Sequence, residues 1–301
     1  MEWQQIVGFY HAARLRSFTK AGEATFRTQS ALSQQIKLLE EELDCQLFER
    51  IGKRKLNLTL AGERFFKFSE MVLDQHERLK EELTEFKGAC KGRLKVAAPF
   101  TTLYHLFPDK LRDYVGRFPG VEVTLLDRPQ ERVLELVRDG EIDFGFALES
   151  VVPKDLVTIR WKKVETVLMV PTGHPLAAAK RVSLKQLSRY PLIVPPRGLK
   201  HSGRAALDKH LTKLGLDCRV VMESSNVELS SVYVEIGLGI SLATVVRDLP
   251  GLKKRNLEFL SVDRYFKPDH IALVMRKGKM VASYKNAFVS MLFGEPVQHD
   301  A

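Results

Sequence analysis

Along residues 2–15 the apolar positions Trp3, Ile6, Val7, Phe9, Tyr10, Ala13 and Leu15 recur at helical spacing and form one broad face. Ser17 and Thr19 can cap a second helix over roughly 19–25, and Thr28 a third over roughly 29–43. In the third, Ala31, Leu32, Ile36, Leu39 and Leu43 repeat at steps of three and four. Its other face begins with Thr28, Gln29, Ser30, Ser33 and Gln34, small polar residues where a plain solvated face would carry Glu and Lys. Phe18, Ala21, Leu32 and Ile36 are assigned to a core. Glu40, Glu41 and Glu42 crowd the C-terminal end of the third helix, where the helix dipole disfavours acid.

The next stretch, LFERIGKRKLNLTLAG, reads as two short extended runs around a basic tip. Three helices followed by a basic hairpin describe a winged helix-turn-helix, a fold that sets the second helix of its motif into the DNA major groove. Residues 61–87 then form one long helix. Phe65, Phe68, Val72, Leu79, Leu83 and Phe86 make a near-heptad stripe on it, interrupted at Gln75 or His76, and such a stripe calls for a partner helix. Gly88 and Gly92 mark a hinge.

From Arg93 the pattern changes. LKVAAP, PGVEVTLLD and IDFGFAL read as strands, separated by helices near 103–118 and 129–138. TVLMVP, YPLIVP, CRVVME, ISLAT and HIALVMR add strands, with helices near 202–215, 226–237 and 280–293. This alternation predicts a parallel sheet with crossover helices. The expected fold is therefore an α-rich winged helix-turn-helix over 1–60, a linker helix and hinge over 61–92, and an α/β domain over 93–301.

Charge changes this picture in one respect. The formal net charge of the 301 residues is +10, which suggests a nucleic-acid partner. Yet residues 1–92 carry 15 Lys/Arg against 14 Asp/Glu, and residues 93–301 carry 32 against 23. Local placement, not total charge, must support DNA binding. The opening residues show no basic start with a long apolar run, so no signal peptide is expected, and no run approaches the length of a membrane helix. Cys45, Cys90 and Cys218 lie far apart without a C-x-x-C, which predicts cytosolic thiols. G-x-S-x-G, H-E-x-x-H, P-loop and strand-borne G-x-G-x-x-G motifs are lacking, and His residues pair with no Cys at ligand spacing. We therefore expect no enzyme, no metal and no cofactor.

SFTKAGEATFRTQSALSQQIKLLEEELDCQLFER, followed by LTLAGE, resembles the N-terminal signature of LysR-type transcriptional regulators. Ser17, Phe18, Thr19, Ala21, Gln29, Ala31, Leu32, Ser33, Ile36, Leu39, Glu40, Leu43, Leu47, Phe48, Arg50, Thr59, Ala61 and Gly62 carry the match. GRLKVAAP, FPGVEVTL, DGEIDFGF, GHPL, YPLIVPPRG and VEIGLGISL follow in family order, so the similarity spans the chain. Gly22, Thr25, Ser30 and Asp44 depart from the usual Ala, Leu, Pro and Gly.

The resemblance implies a cytoplasmic, dimeric or tetrameric regulator that binds a two-fold operator in double-stranded DNA and answers to a small effector, with no membrane partner. Thr28, Gln29, Ser30, Ser33, Gln34 and Lys37 are the candidate DNA residues of the recognition helix, since Gln pairs with adenine and Ser with bases or phosphate. Arg50, Lys53, Arg54 and Lys55 would meet phosphate or the minor groove from the wing. The C-terminal domain resembles a periplasmic-binding-protein fold, with subdomain I over 93–165 plus 268–293 and subdomain II over 166–267. Thr101, Leu148 and Ser202 match places where related regulators touch effectors. Phe100, Thr102, Glu149, Arg197, His201 and Thr244 flank the same strand ends and helix starts, and Arg197 and His201 could neutralise an anion. Two other readings stay open: a constitutive repressor whose C-terminal half only oligomerises, and a solute-binding or enzymatic protein with an incidental helical head.

Overall fold

The computed structural model describes residues 1–49, 56–86, 91–179, 181–197, 203–246, 255–278 and 281–294. The chain divides into two compact units, one formed chiefly by Met1–Cys90 and the other chiefly by Lys91–Gly278.

The N-terminal unit contains α1 (Trp3–Leu15), α2 (Phe18–Ala24), α3 (Gln29–Glu42) and the long α4 (Leu60–Phe86). Ser17 Oγ accepts from Lys20 N and Thr28 Oγ1 accepts from Ala31 N, so both expected caps are made. Phe9, Ala12, Ala21, Leu32, Ile36, Leu39, Leu47 and Phe48 form the core, with Phe18 and Phe65 packed against it. Burying each large side chain contributes about 2 kcal/mol. Ala31 and Leu43, read as apolar-face residues, are exposed instead.

Two of the departures from the family signature, Gly22 and Asp44, have local causes. A Cβ at Gly22 would lie 2.7 Å from the Arg27 carbonyl oxygen, so the turn between α2 and α3 closes only over glycine. Asp44 has φ 49°, the left-handed backbone that Gly adopts freely and Asp tolerates. The acidic end of α3 also resolves. Glu40 Oε1 accepts from the backbone N–H of Leu47 at 2.7 Å and of Phe48 at 3.1 Å, tying the helix to the start of the wing. Glu41 pairs with Lys37 one turn earlier, and Glu42 meets the amino group of Met1. A Glu40→Ala chain strands two backbone donors and is expected to lose about 1–3 kcal/mol of N-terminal-unit stability, measured by urea unfolding. A loss below a few tenths would assign that loop's shape to packing alone.

Phe48 and Leu58 form an antiparallel bridge, and Glu49 N donates to Asn57 O. These pairs are the base of the expected hairpin. Its tip, with Arg50, Lys53, Arg54 and Lys55, lies outside the described residues, as do Gly88, Gly198, His201, Ser202 and the side chain of Phe86. Gly62, in the first turn of α4, packs so closely on this base that a Cβ would lie 2.0 Å from the Leu47 carbonyl oxygen.

The C-terminal unit holds a nine-stranded sheet. Its strands are β1 (Gly92–Ala98), β2 (Val121–Asp127), β3 (Phe144–Leu148), β4 (Leu156–Pro171), β5 (Leu192–Val194), β6 (Val220–Glu223), β7 (Ile240–Val246), β8 (Leu257–Ser261) and β9 (Asp269–Arg276). The order is β2-β1-β3-β9-β4-β7-β5-β6, with β8 also paired to β4. The expected all-parallel sheet is corrected to a mixed one. β1 runs parallel to β2 and β3, and β5 to β6 and β7, but β9 is antiparallel to β3 and β4, and β4 to β7 and β8. The physical reason is β4. Its first part, up to Val164, pairs with β9, and from Val164 onward it pairs with β7, so one long strand serves two local sheets. Only the second part reads as a strand in sequence, because VTIRWKKVE is half polar.

The helices of this unit are α5 (Phe100–Leu106), α6 (Pro108–Arg117), α7 (Gln130–Arg138), α8 (Leu184–Leu187), α9 (Gly203–Lys213), α10 (Val227–Glu235) and α11 (Ser283–Phe293). The single helix expected near 103–118 is two, split where Pro108 cannot donate to the preceding turn. Tyr114, Phe107, Phe144, Phe146 and Phe288 make an aromatic core on one side, and Trp161 Nε1 donates to Leu292 O.

Candidate DNA-reading helix and effector cavity

Thr28, Gln29, Ser30, Gln34 and Lys37 are exposed and Ser33 is half-buried, while Leu32, Ile36 and Leu39 hold the opposite side of α3 in the core. The sequence candidates on this helix therefore share one accessible face. Three of them are already engaged. Thr28 Oγ1 caps the helix and lies 3.2 Å from Ser30 Oγ, and Lys37 pairs with Glu41 at 3.4 Å in an exposed bridge of small worth. Arg27, ahead of the cap, donates from Nη2 to Gln4 Oε1 at 3.0 Å.

In the C-terminal unit a cavity of about 370 Å³ opens where several helices begin, at the low end of the range for small-ligand sites. Phe100, Gln130, Gly203 and Val227, the first residues of α5, α7, α9 and α10, all line it. Each helix start carries a partial positive charge. Four sequence candidates meet here: Phe100, Thr101, Leu148 and Thr244. Thr102 is buried and lines a smaller neighbouring cavity of about 130 Å³, which shares Thr101, Leu148 and Thr244 with the first.

Two candidates stand apart from the described wall of this cavity. Glu149 is not on the cavity wall. It sits in a short turn after β3, its carboxylate accepts from Arg160 Nε at 2.7–2.8 Å, and Asp269 and His270 lie beside it. The turn rotates the residue after Leu148 away from the cavity. Arg197 is exposed and is likewise absent from the wall.

The cavity also brings in residues that sequence reading missed. Arg204, 5% exposed, donates from Nε to both Asp208 carboxylate oxygens at 2.9 and 3.0 Å, and its Nη1 lies 3.8 Å from Glu223. Its spacing of four from Asp208 was a legible sign of an ion pair; its burial was not. Gln130 Oε1 accepts from Leu148 N at 2.7 Å and so joins α7 to the end of β3. Asn226, which the sequence already offers as the residue opening α10, caps it through Leu229 N to Oδ1, and Ser224 and Ser230, which it does not offer, both donate to Asn226 O. Thr166 and Thr244 Oγ1 atoms lie 3.4 Å apart across adjacent strands. Asp127, Arg128 and Glu131 supply the remaining charge of the wall.

Cys218 lies half-buried in this unit, and burial first, then Asp208 and Asp217, pushes its thiol above the ordinary value. A thiol so held is a poor nucleophile. None of the described helices is long and apolar enough to cross a membrane.

Comparison with known proteins gives these sites a context. The pattern described as "Bacterial regulatory helix-turn-helix protein, lysR family" matches residues 3–63, and that described as "LysR substrate binding domain" matches residues 87–295. The chain is 27% identical over 293 residues to the HTH-type transcriptional regulator SsuR of Burkholderia cenocepacia, covering 97% of this chain and 94% of that one. It is 30% identical over 291 residues to the HTH-type transcriptional activator CmpR of a Synechocystis species, covering 96% and 94%. A solved full-length OxyR variant from Pseudomonas aeruginosa shares the fold, with a TM-score of 0.63 at 21% identity, over 98% and 97% of the two chains.

Proposed function

This chain belongs to the LysR family of DNA-binding transcriptional regulators, with a domain for small effectors, and from that premise we propose that a small anionic effector, bound between two α/β halves of the C-terminal unit, sets how it engages DNA. Its matched domains and relatives are regulators and not enzymes. A constitutive repressor with a merely oligomerising C-terminal half is not favoured, because that half matches a substrate-binding domain.

The observation that carries the anionic reading is the meeting of Thr101 with buried Arg204 and four helix amino ends at one cavity. Asp127 and Glu131 on the same wall direct the anion toward the Arg204 side. Thr101 is the hydroxyl we assign to the effector, with Phe100, Leu148 and Thr244 shaping its surroundings, and the family resemblance adds Ser202 and His201 to the assignment. The halves we assign are 93–165 with 268–293, and 166–267; the change of partner along β4 at Val164 supports that division. Effector binding would favour one arrangement of the halves and so shift the population that pairs productively on DNA.

Gln29, Ser30, Ser33 and Gln34 are assigned to base edges and Lys37, Arg50, Lys53 and Arg54 to phosphate, with Thr28 holding the helix start. Dimerisation is assigned to α4, on which Met71, Leu79 and Leu83 are each more than half exposed, and a pair of such dimers would make the tetramer. A two-fold dimer suits a two-fold operator, and its DNA-binding role puts the protein in the cytoplasm.

The test is a thermal-shift panel on the full chain: sulfate, phosphate and short carboxylates and sulfonates against neutral isosteres. A saturable rise with one anion class is expected. Thr101→Val should weaken that anion about tenfold, and Arg204→Met more, since hydrogen bonds to charged groups contribute about 1.5–3 kcal/mol. A shift given only by neutral compounds, or one untouched by both substitutions, would reject the anionic reading.

A further inference from the structure

The turn that leads into α3 carries an unusual residue. Phe26 is 98% exposed, and its φ of 55° puts a bulky aromatic side chain in left-handed backbone. Both features cost stability, since an apolar ring stays in water and L-residues avoid this conformation. Neither is a symptom of a loose turn. Arg27 N donates to Gly22 O at 2.8 Å, Phe26 N to Glu23 O, and Thr25 Oγ1 to Ala21 O at 2.8 Å. Gly22 lets the Arg27 carbonyl sit against α2, and this closure aims residue 26 outward. Phe26 is followed by Arg27, the capping Thr28 and then the exposed Gln29 and Ser30, so the ring projects just ahead of the helix that reads DNA.

We propose that Phe26 is an apolar DNA anchor that packs on thymine 5-methyl groups at the edge of the major groove entered by α3. The proposal rests on the assignment of α3 to DNA. Its chemistry is selective: thymine methyls are the apolar groups displayed in that groove, and an aromatic ring beside it has no hydrogen bond to offer. Strain kept at a rigid turn, without any packing gain in the folded protein, points to use at an interface. The polar face of α3 would supply hydrogen-bond readout, and Phe26 would add a preference for A·T pairs at the flank.

The experiment uses the full-length chain. Selection from a random double-stranded library yields its preferred duplex, and fluorescence anisotropy then compares native protein with Phe26→Asn, since Asn tolerates this backbone. The variant is expected to melt no lower than the native chain, yet to bind the duplex about tenfold more weakly. Replacing flanking thymines by uracils deletes only the methyls. That change should weaken the native chain about fourfold per contacted methyl and leave Phe26→Asn unaffected. Binding by Phe26→Asn within twofold of native overturns the proposal, as does a loss that shows no coupling to the thymine methyls. The assignment of α3 itself is checked separately on the same duplex with Gln29→Ala, so its failure is told apart from failure of the anchor.

Discussion

A chain carrying Gln29→Ala and Ser33→Ala together is expected to bind its preferred duplex roughly a hundredfold more weakly, while melting at the temperature of the native protein. Each side chain lies on the accessible face of α3, and neither makes a hydrogen bond that holds the described fold, so truncation removes readout and leaves the core intact. A good base contact contributes about 1–3 kcal/mol, so two lost contacts give about two powers of ten or more. The salt dependence supplies the sharper check. Gln and Ser neutralise no phosphate, so the slope of log affinity against log salt should stay put. Lys37→Ala should do the reverse, weakening all sequences alike and lowering the slope by about one. If the double variant discriminates duplexes as well as the native chain, specificity resides elsewhere, and the wing would be the next place to look.

What could be read in advance followed from period and caps. Leu32, Ile36 and Leu39 against Gln29, Ser30 and Gln34 is a pattern that only one helix orientation satisfies, and both Ser17 and Thr28 are caps by residue type. The role of Glu40 was not legible, because its partners are backbone N–H groups seven and eight residues on, which a wing brings back to the helix end. Asp44 and Phe26 share a left-handed backbone, but nothing in composition distinguishes a position that needs φ above zero when the residue is not glycine. In the C-terminal unit, short apolar strands announced themselves, whereas the polar first part of β4 and the reversal it imposes on β9 did not. A sheet built from strand–helix alternation looks parallel until one strand crosses between its halves.

The effector cavity was half legible for a related reason. Leu148 ends β3 and Thr101 opens the helix that follows β1, the places where α/β folds put ligands, and the cavity wall contains both. Glu149 obeys the same rule and fails it, since a short helical turn and Arg160 draw it aside. Arg204 shows the opposite error. A lysine- or arginine-bearing helix start reads as solvated surface, and only tertiary packing buries this guanidinium while leaving its partners Asp208 and Glu223 about half exposed.

His105→Leu is expected to destabilise the chain by about 3 kcal/mol, the largest single loss we anticipate. His105 Nε2 lies 2.5 Å from Glu228 Oε1, and the two side chains are only 4% and 16% exposed. The residues are 123 apart in sequence: one stands in the last turn of α5, the other in the first turn of α10. A helix amino end favours the Glu carboxylate, which trims the penalty but does not replace its lost partner. Replacing both residues, with His105→Leu and Glu228→Met, should recover most of the stability, because a shielded polar pair often exchanges for apolar groups at little net cost. That recovery distinguishes loss of the pair from damage to packing around it. The functional consequence comes from position. Both α5 and α10 begin on the cavity wall, so their contact would link the two proposed halves beside the proposed effector site. If effector control works by shifting the arrangement of the halves, the double variant should be stable yet respond differently, with DNA occupancy less dependent on the anion. A single variant costing under about 1 kcal/mol would mean the pair contributes no more than an exposed bridge, and the link between the halves would then lie in β4 and the sheet.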